Sequence, residues 1–382
     1  SGRGRSRIFR SEGAGFLFIV LDGNIGDMEG AETKEQDILA LSLRLRRLAG
    51  VLTTAGAAVD LQKIGIPEGE PACHWYFVMP AGINPDRSDP NGRTSGFSLD
   101  APFGHGTSFT SDTEALERAF GEFAERYSVS LEDPTRLVRA RYRDLASRGI
   151  RALDPRTVAG LSDEFRAAHP NHRVSDETTF AWVRGRTFPF WQKILVPAQL
   201  VYVPYASGRG EPRIRQPLTT GAAFGWSFAE AFWRGLAEVI ERDAFMITWL
   251  ARLHPPRIDL ATVRDPVVRR LASEYEKLGV EAHAFDITTD AGVPTALAVL
   301  LDRTGTGPAV IVGCRTSFDS ALALRDALRQ AHNVRAVAVP AFRAWQEAGS
   351  QPVEIGSSVP NRVLFWASVE RIKDVEFLRA SD

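Results

Sequence analysis

Lysine is scarce in this 382-residue chain: only Lys34, Lys63, Lys193, Lys277 and Lys373 occur among 46 basic residues, and none follows a glycine. A Gly-Lys-Ser/Thr phosphate loop is therefore excluded, and no kinase-type His-Arg-Asp triplet is present. Cysteine is scarcer still. Cys73 and Cys314 lack Cys-x-x-Cys partners, which excludes a thiolate zinc centre. A lone disulfide would be odd in a body this large, so a reducing cytoplasm is the expected compartment. Long apolar runs are missing too. Residues 16–21 follow Arg3, Arg5, Arg7 and Arg10, but the run stops at Asp22. It is too short for a signal sequence or a membrane span and reads as a strand. Finally, neither sign of charge dominates: 46 basic against 47 acidic side chains leave a net charge of -1. That balance argues against sequence-independent binding to nucleic acid or an anionic membrane.

What is present is an ordinary globular composition, 44% hydrophobic and 24% charged, which excludes a disordered or fibrous chain. Residues 1–40 give a strand, an Asp22-Gly23-Asn24 turn and the approach to a helix at 33–49. The Gly-, Pro-, Asp- and Ser-rich stretch 81–110 reads as a long loop. A helix is expected at 112–128, where Ser111 and Glu114 have capping-box spacing and Leu116, Ala119, Phe120, Phe123 and Tyr127 repeat at helical intervals. Residues 130–175 read as polar helix with Arg139, Arg141, Arg143 and Asp144 on solvated faces, and 194–205 as proline-broken β structure. Strands are expected at 280–286, 295–301 and 308–312, and a helix at 319–335. Strands and helices without regular alternation predict a mixed α/β fold of one large domain.

Two helical segments carry the same oddity. Gly121-Glu122-Phe123-Ala124-Glu125-Arg126 and Glu238-Val239-Ile240-Glu241-Arg242 both contain Glu-x-x-Glu-Arg, placing two carboxylates one turn apart on one side of a helix. At about 100° per residue, Glu230, Glu238 and Glu241 fall within roughly an 80° arc. The second helix continues as Phe245-Met246-Ile247-Thr248-Trp249-Leu250, apolar nearly all round, so its body is expected to be buried. Solvated helix faces explain one such pair. Two pairs on otherwise apolar helices leave two readings open, solvated faces or a bound counter-ion, because uncompensated anions on a buried helix are costly. Hard cations with oxygen ligands, Mg²⁺ above all, suit carboxylates shared with phosphate. A di-iron bundle would need Glu-x-x-His pairs, which neither segment has.

These residues resemble the YcaO family. The resemblance is carried by Thr219-Thr220-Gly221-Ala222-Ala223-Phe224-Gly225, Glu230-Ala231 and the block from Gly235 to Ala244. Upstream it is carried by Gly104-His105-Gly106 with the 119–128 helix, and downstream by 285–290 and Gln330-Ala331-His332-Asn333-Val334-Arg335. It implies a mixed α/β YcaO-type fold, with mixed sheets flanked by helices and an ATP site between glutamate-bearing helices. It also implies an N-terminal extension over 1–40 and a catalytic domain over 41–382. Carried over, Glu122, Glu125, Glu230, Glu238 and Glu241 would hold Mg²⁺ and the phosphates. Arg242, Arg335 and Arg126 would face phosphate, and Gly221 and Gly225 would let backbone amides approach ATP. His105, Thr219-Thr220, Trp226 and Gln330 depart from the family's common choices at those positions.

The activity implied is ATP- and Mg²⁺-dependent cyclodehydration: a backbone amide oxygen of a ribosomal precursor peptide is phosphorylated, and Cys, Ser or Thr closes a thiazoline or oxazoline. About 40 residues precede the family-like region, too few for a peptide-binding domain. A leader-peptide-binding partner protein (E1-like, ThiF-like or similar) is therefore expected, in a complex that leaves room for a homodimer. No nucleic-acid or membrane partner is expected. Thioamide or amidine formation is the enzymatic alternative, and a non-catalytic peptide-holding subunit is the alternative of another class. Cys73, Cys314, His74 and His332 read as core or loop residues.

Overall fold

The computed structural model describes residues 18–19, 43–54, 57, 59–80, 103–158, 160–205, 210–350, 353 and 359–379. The chain forms two compact units. One comprises residues 1–62, 76–106 and 115–235, and the other 63–75, 107–114 and 236–382.

In chain order the first elements are β1 (Phe18–Ile19), α1 (Leu43–Thr54), β2 (Val59–Lys63), β3 (His74–Pro80), β4 (Gly104–Ser108) and α2 (Asp112–Ser130). Strands β2, β3 and β4 lie in that order in one sheet. The Phe16-to-Leu21 run contributes β1, which pairs in parallel with β8 (Ala223–Phe224). Leu45, Leu48 and Leu52 of α1 pack with Leu116, Phe120 and Phe123 of α2 and with Phe224. These are the apolar positions that repeat at helical spacing in the sequence.

A second sheet of the same unit joins β5 (Val138–Arg141), β6 (Thr179–Arg186) and β7 (Lys193–Pro197), all antiparallel. The short helices α3 (Tyr142–Ser147) and α4 (Asp163–Ala168) lie between its strands in the chain. Leu145, Phe180, Trp182 and Ile214 form a separate small core. This stretch overturns the expectation of polar helix over 130–175. Val138 and Ala140 alternate with Arg139 and Arg141, a period of two that suits a strand with one wet face.

The other unit is built on a four-stranded antiparallel sheet ordered β12-β11-β10-β9: β9 (Arg257–Ile258), β10 (Val280–Asp286), β11 (Thr295–Asp302) and β12 (Val310–Thr316). All eight residues of β11 are buried because both faces are covered. Ala296, Ala298 and Leu300 meet α6 (Pro266–Lys277) and α7 (Ser320–Glu347). Leu297, Val299 and Leu301 meet the far half of α5 (Phe228–Leu250) and a terminal 3-10 segment (Val369–Arg379). α8 (Val359–Phe365) completes the set.

Other differences from the sequence reading have local causes. The loop expected over 81–110 ends early, because Gly104–Ser108 is a strand; residues 81–102 lie outside those described. Its glycines serve proximity: a Cβ on Gly106 would sit 1.9 Å from Ala115 O, and one on Gly104 2.0 Å from Ala119 O. Helix α1 begins at Leu43, and the expected start at residue 33 lies outside the described residues. The strand expected at 308–312 is shifted to Val310–Thr316, and the helix expected at 319–335 runs on past Pro340 to Glu347. Burial of Ala336, Ala338, Val339 and Phe342 sustains that extension. Only half of the expected Ser111–Glu114 box forms: the Glu114 N–H donates to Ser111 Oγ, while the Glu114 carboxylate accepts from Ser108 and Thr110. The apolar end of α5 is not buried all round. Ala244 and Thr248 are buried, but Met246, Ile247 and Leu250 stay exposed, because a single stripe of the helix meets the sheet. No described helix is long and apolar enough to cross a membrane.

Candidate functional site

In the first unit, β4 lies so close to α2 that His105 reaches Glu122 twice. Its backbone N–H donates to Glu122 Oε2 at 2.8 Å, and its Nδ1 lies 2.7 Å from the same oxygen. Arg126, one turn on, donates to Glu122 Oε1 at 2.6 Å. Burial alone would raise the Glu122 pKa, but His105, Arg126 and the His105 N–H outweigh it and hold the carboxyl at about 2. Glu122 is therefore a fixed anion. Arg126 also lies over the Phe103 ring, 4.3 Å from its centroid, which pins the guanidinium. Glu125 follows on the same helix and is partly buried.

The segment leading into α5 packs on α2 within the same unit: a Cβ on Gly121 would touch the Phe224 ring at 3.1 Å. Gly221 has φ of 92°, a left-handed conformation that favours glycine. Gly225 is required for a different reason, since a Cβ there would lie 2.3 Å from Ala231 N in the first turn of α5. Glu230 sits in that turn and closes it. Its N–H donates to Ser227 Oγ, its Oε2 accepts from Trp226 N–H at 2.9 Å, and its Oε1 pairs with Arg234 at 2.6 Å. Sequence reasoning did not name Ser227 or Arg234, although Ser-x-x-Glu spacing and an i,i+4 arginine are both legible signals.

In the second unit, Glu238 and Glu241 stand on successive turns of α5. Glu238 pairs loosely with Arg242 at 3.7 Å. Glu241 is the anomaly: only 2% exposed, it receives the Thr316 N–H at 3.3 Å and has Arg315 at 3.8 Å. Burial pushes its pKa up, and the neighbouring Glu238 adds to that, against the pull of Arg315 and Arg242. Gln330 accepts from the Cys314 N–H at 3.1 Å and so braces the strand beneath Glu241. Arg315 and Thr316 reach Glu241 from strand β12, and no local sequence signal announces them.

Arg335 is placed differently from the expectation. It is 2% exposed and lies between Glu70 and Asp302, to which it donates at 2.9 Å each. Its Nε and Nη2 donate to these two buried carboxylates and its Nη1 to the Pro308 carbonyl at 3.5 Å, so this arginine is already paired where it stands. Its buried neighbours include His332, whose Nδ1 lies 2.8 Å from the Tyr275 hydroxyl and whose pKa burial and nearby arginines depress to about 3. Cys73 and Cys314 are free thiols. Burial raises the pKa of both, that of Cys73 to about 11, so neither is poised as a nucleophile.

Do these residues suit a magnesium nucleotide? The donors are all carboxylate oxygens, the ligand type of a hard cation. The buried and under-compensated Glu241 is where an added positive charge would gain most. Within each unit, among the described residues, no three His, Cys, Asp or Glu side chains form a ready cage. That agrees with the habit of Mg²⁺ of using one or two carboxylates with waters and phosphate. The residues fit.

A family model described as YcaO cyclodehydratase, ATP- and Mg²⁺-binding, matches residues 104–376. The chain belongs to the YcaO family. An uncharacterized protein of Methanothermobacter thermautotrophicus is 27% identical over 234 residues, covering 60% of this chain and 57% of that protein. A heterocyclase solved in complex with substrate and cofactor matches at TM-score 0.64 and 20% identity, over 84% of this chain and 41% of its own. The YcaO protein of Methanopyrus kandleri, bound with AMPPCP and Mg²⁺, matches at TM-score 0.53 and 18% identity, over 87% of this chain and 80% of its own. This YcaO chain thus spans little more than half of the curated relative and under half of the heterocyclase. The structural likenesses show that the mixed α/β architecture is the YcaO fold.

Proposed function

We propose that this YcaO protein is an ATP- and Mg²⁺-dependent cyclodehydratase that converts Cys, Ser or Thr of a ribosomal precursor peptide into thiazoline or oxazoline. Glu241 carries the reading: a buried, under-neutralised carboxylate one turn from Glu238, in a chain whose family is described as ATP- and Mg²⁺-binding. The ring-forming step is a dehydration. The side-chain sulfur or oxygen bonds to the preceding carbonyl carbon and loses its proton, the amide nitrogen loses its proton as the ring C=N bond forms, and the amide oxygen must leave. The nucleotide supplies phosphate as the carrier of that oxygen, and Mg²⁺ supplies charge neutralisation on the phosphates.

The protein's own task is positioning and electrostatics. Glu238 and Glu241, with Glu122, Glu125 and Glu230, are the carboxylates that would hold Mg²⁺. The Glu122 charge is fixed by His105 and Arg126, which keeps an anion in place at neutral pH. Arg242, exposed and only loosely paired, and Arg126 offer planar forks of donors to phosphate oxygens. Gly221 and Gly225 are the glycines that would let backbone amides approach ATP. Arg335 has no part in this assignment.

The precursor peptide and a leader-binding partner protein are the proposed partners, and the cytoplasm is the proposed compartment. The test is mass spectrometry of the precursor encoded beside this gene, after incubation with ATP, Mg²⁺ and candidate partners. Loss of one water per modified residue supports the reading, and Glu238→Gln should abolish it. A gain equal to the sulfur–oxygen difference would replace it with thioamide formation. An unmodified peptide, together with absent Mg²⁺-dependent ATP binding in calorimetry, would leave a peptide-holding subunit.

A further inference from the structure

The second sheet of the first unit carries a feature the proposed chemistry leaves unused. A cavity of about 670 Å³ opens on β5, β6, β7 and α3, within the volume range of ligand-binding clefts. Five cations line it, Arg139, Arg148, Arg151, Arg184 and Lys193, and no acidic residue does.

The neighbouring carboxylates are already paired, and Glu211 is the one that meets a groove cation. Glu177 pairs with Arg141 and Arg143, Asp154 with Arg156, and Glu211 with Arg139. Arg148, Arg184 and Lys193 are exposed and have no ion-pair partner among the described residues. In a chain with net charge -1, three cations without ion-pair partners on one groove are a local feature rather than a general excess. They focus positive potential over a low-dielectric floor.

That floor is aliphatic: Leu145, Ile150, Ile194 and Leu195 lie among the cations. No aromatic side chain lines the cavity, so it lacks the stacking platform that single-stranded nucleic acid requires. Aliphatic floor plus cationic walls instead match an extended peptide whose acidic side chains alternate with aliphatic ones. Strand β5 is an edge, paired only with β6 among the described strands, and its residues 138–140 line the groove. An added peptide strand would find its backbone partners there.

We infer that this groove is a docking site for an acidic, aliphatic peptide segment. Its assignment to the precursor rests on the peptide-modifying reading above; the binding itself does not. The groove holds the segment by charge and apolar contact, apart from the carboxylates assigned to magnesium.

The test is fluorescence anisotropy with the full chain and no nucleotide. The probes are a short labelled peptide alternating Glu and Leu, its Gln/Leu counterpart and a single-stranded RNA of similar length. The Glu/Leu peptide should bind most tightly and weaken steeply with salt. The combined change Arg148→Glu, Arg184→Glu and Lys193→Glu should weaken it by roughly tenfold or more. Mg²⁺-dependent ATP binding should stay unchanged in the same protein. Should that variant misfold by circular dichroism, Arg184→Gln with Lys193→Gln replaces it and should still weaken binding several-fold. Equal binding of the neutral peptide, tighter binding of RNA, or wild-type affinity in a folded variant would each overturn the proposal. Peptide binding without any ATP binding would overturn the cyclodehydratase reading and leave the groove standing.

Discussion

Glu241→Gln separates a structural carboxylate from one that awaits a cation. At roughly 4 Å and an effective dielectric near 20, a charge pair is worth about 4 kcal/mol. Desolvating a carboxylate costs several kcal/mol as well. Arg315 stands 3.8 Å away and is itself part-exposed, and the one backbone donor is long at 3.3 Å. The raised pKa of Glu241 shows that desolvation wins this balance. A neutral amide of the same shape removes that cost and can still accept from Thr316. Without ligand, Glu241→Gln should therefore be as stable as wild type or better by about 1 kcal/mol, a rise of roughly 2–4 °C in Tm.

With Mg²⁺ and ATP the order should invert. Wild type gains about 2.7 kcal/mol at a ligand concentration of 100 Kd, and the variant should gain little. Differential scanning fluorimetry with and without Mg²⁺-ATP reads both effects. The pH dependence has a defined sign. A carboxyl whose folded pKa lies above its unfolded value carries no penalty below the unfolded pKa, and the penalty grows as pH rises through the folded value. The difference between the two proteins should shrink on acidification towards pH 4.5. A variant that loses about 2 kcal/mol or more without ligand, yet keeps the full Mg²⁺-ATP increment, would refute the reasoning.

Glu122 should behave in the opposite sense: its folded pKa of about 2 lies below the ordinary 4.5, a gap worth about 3 kcal/mol. That stability is present above pH 4.5 and lost as pH falls towards 2, so urea titrations should show wild type and Glu122→Gln converging across this window. Arg335→Met leaves Glu70 and Asp302 buried without their cation and should cost roughly 3–5 kcal/mol. Calorimetry on the folded remainder should find unchanged Mg²⁺-ATP affinity; a loss of affinity would return Arg335 to the site. Gly106→Ala places a Cβ 1.9 Å from Ala115 O, a backbone clash expected to cost at least 1–3 kcal/mol in urea unfolding.

Helical spacing found α2 within two residues at either end, because its apolar stripe is continuous and meets another helix. The carboxylate pairs were legible for the same reason: residues three apart share a helix face whatever the tertiary structure does. Glycines misled. Gly104 and Gly106 read as loop, yet their missing side chains let a strand lie against α2. Arg139 and Arg141 read as helical surface because polar sequences of period two and period 3.6 look alike over four residues. Arg335 was legible as an arginine near the end of a motif, but its carboxylate partners lie 265 and 33 positions away.

Sequence by itself determined the class of chemistry available: no lysine loop, no thiolate cluster, and carboxylates paired by helical geometry. Those are properties of composition and of contacts within one or two turns. Tertiary structure decided which charges remain free to act. Long-range packing hands Arg335 two buried counter-charges, gives Glu122 a fixed negative charge, and leaves Glu241 buried with too little positive charge around it. Desolvation and pairing depend on neighbours brought from distant positions, and no local pattern encodes them.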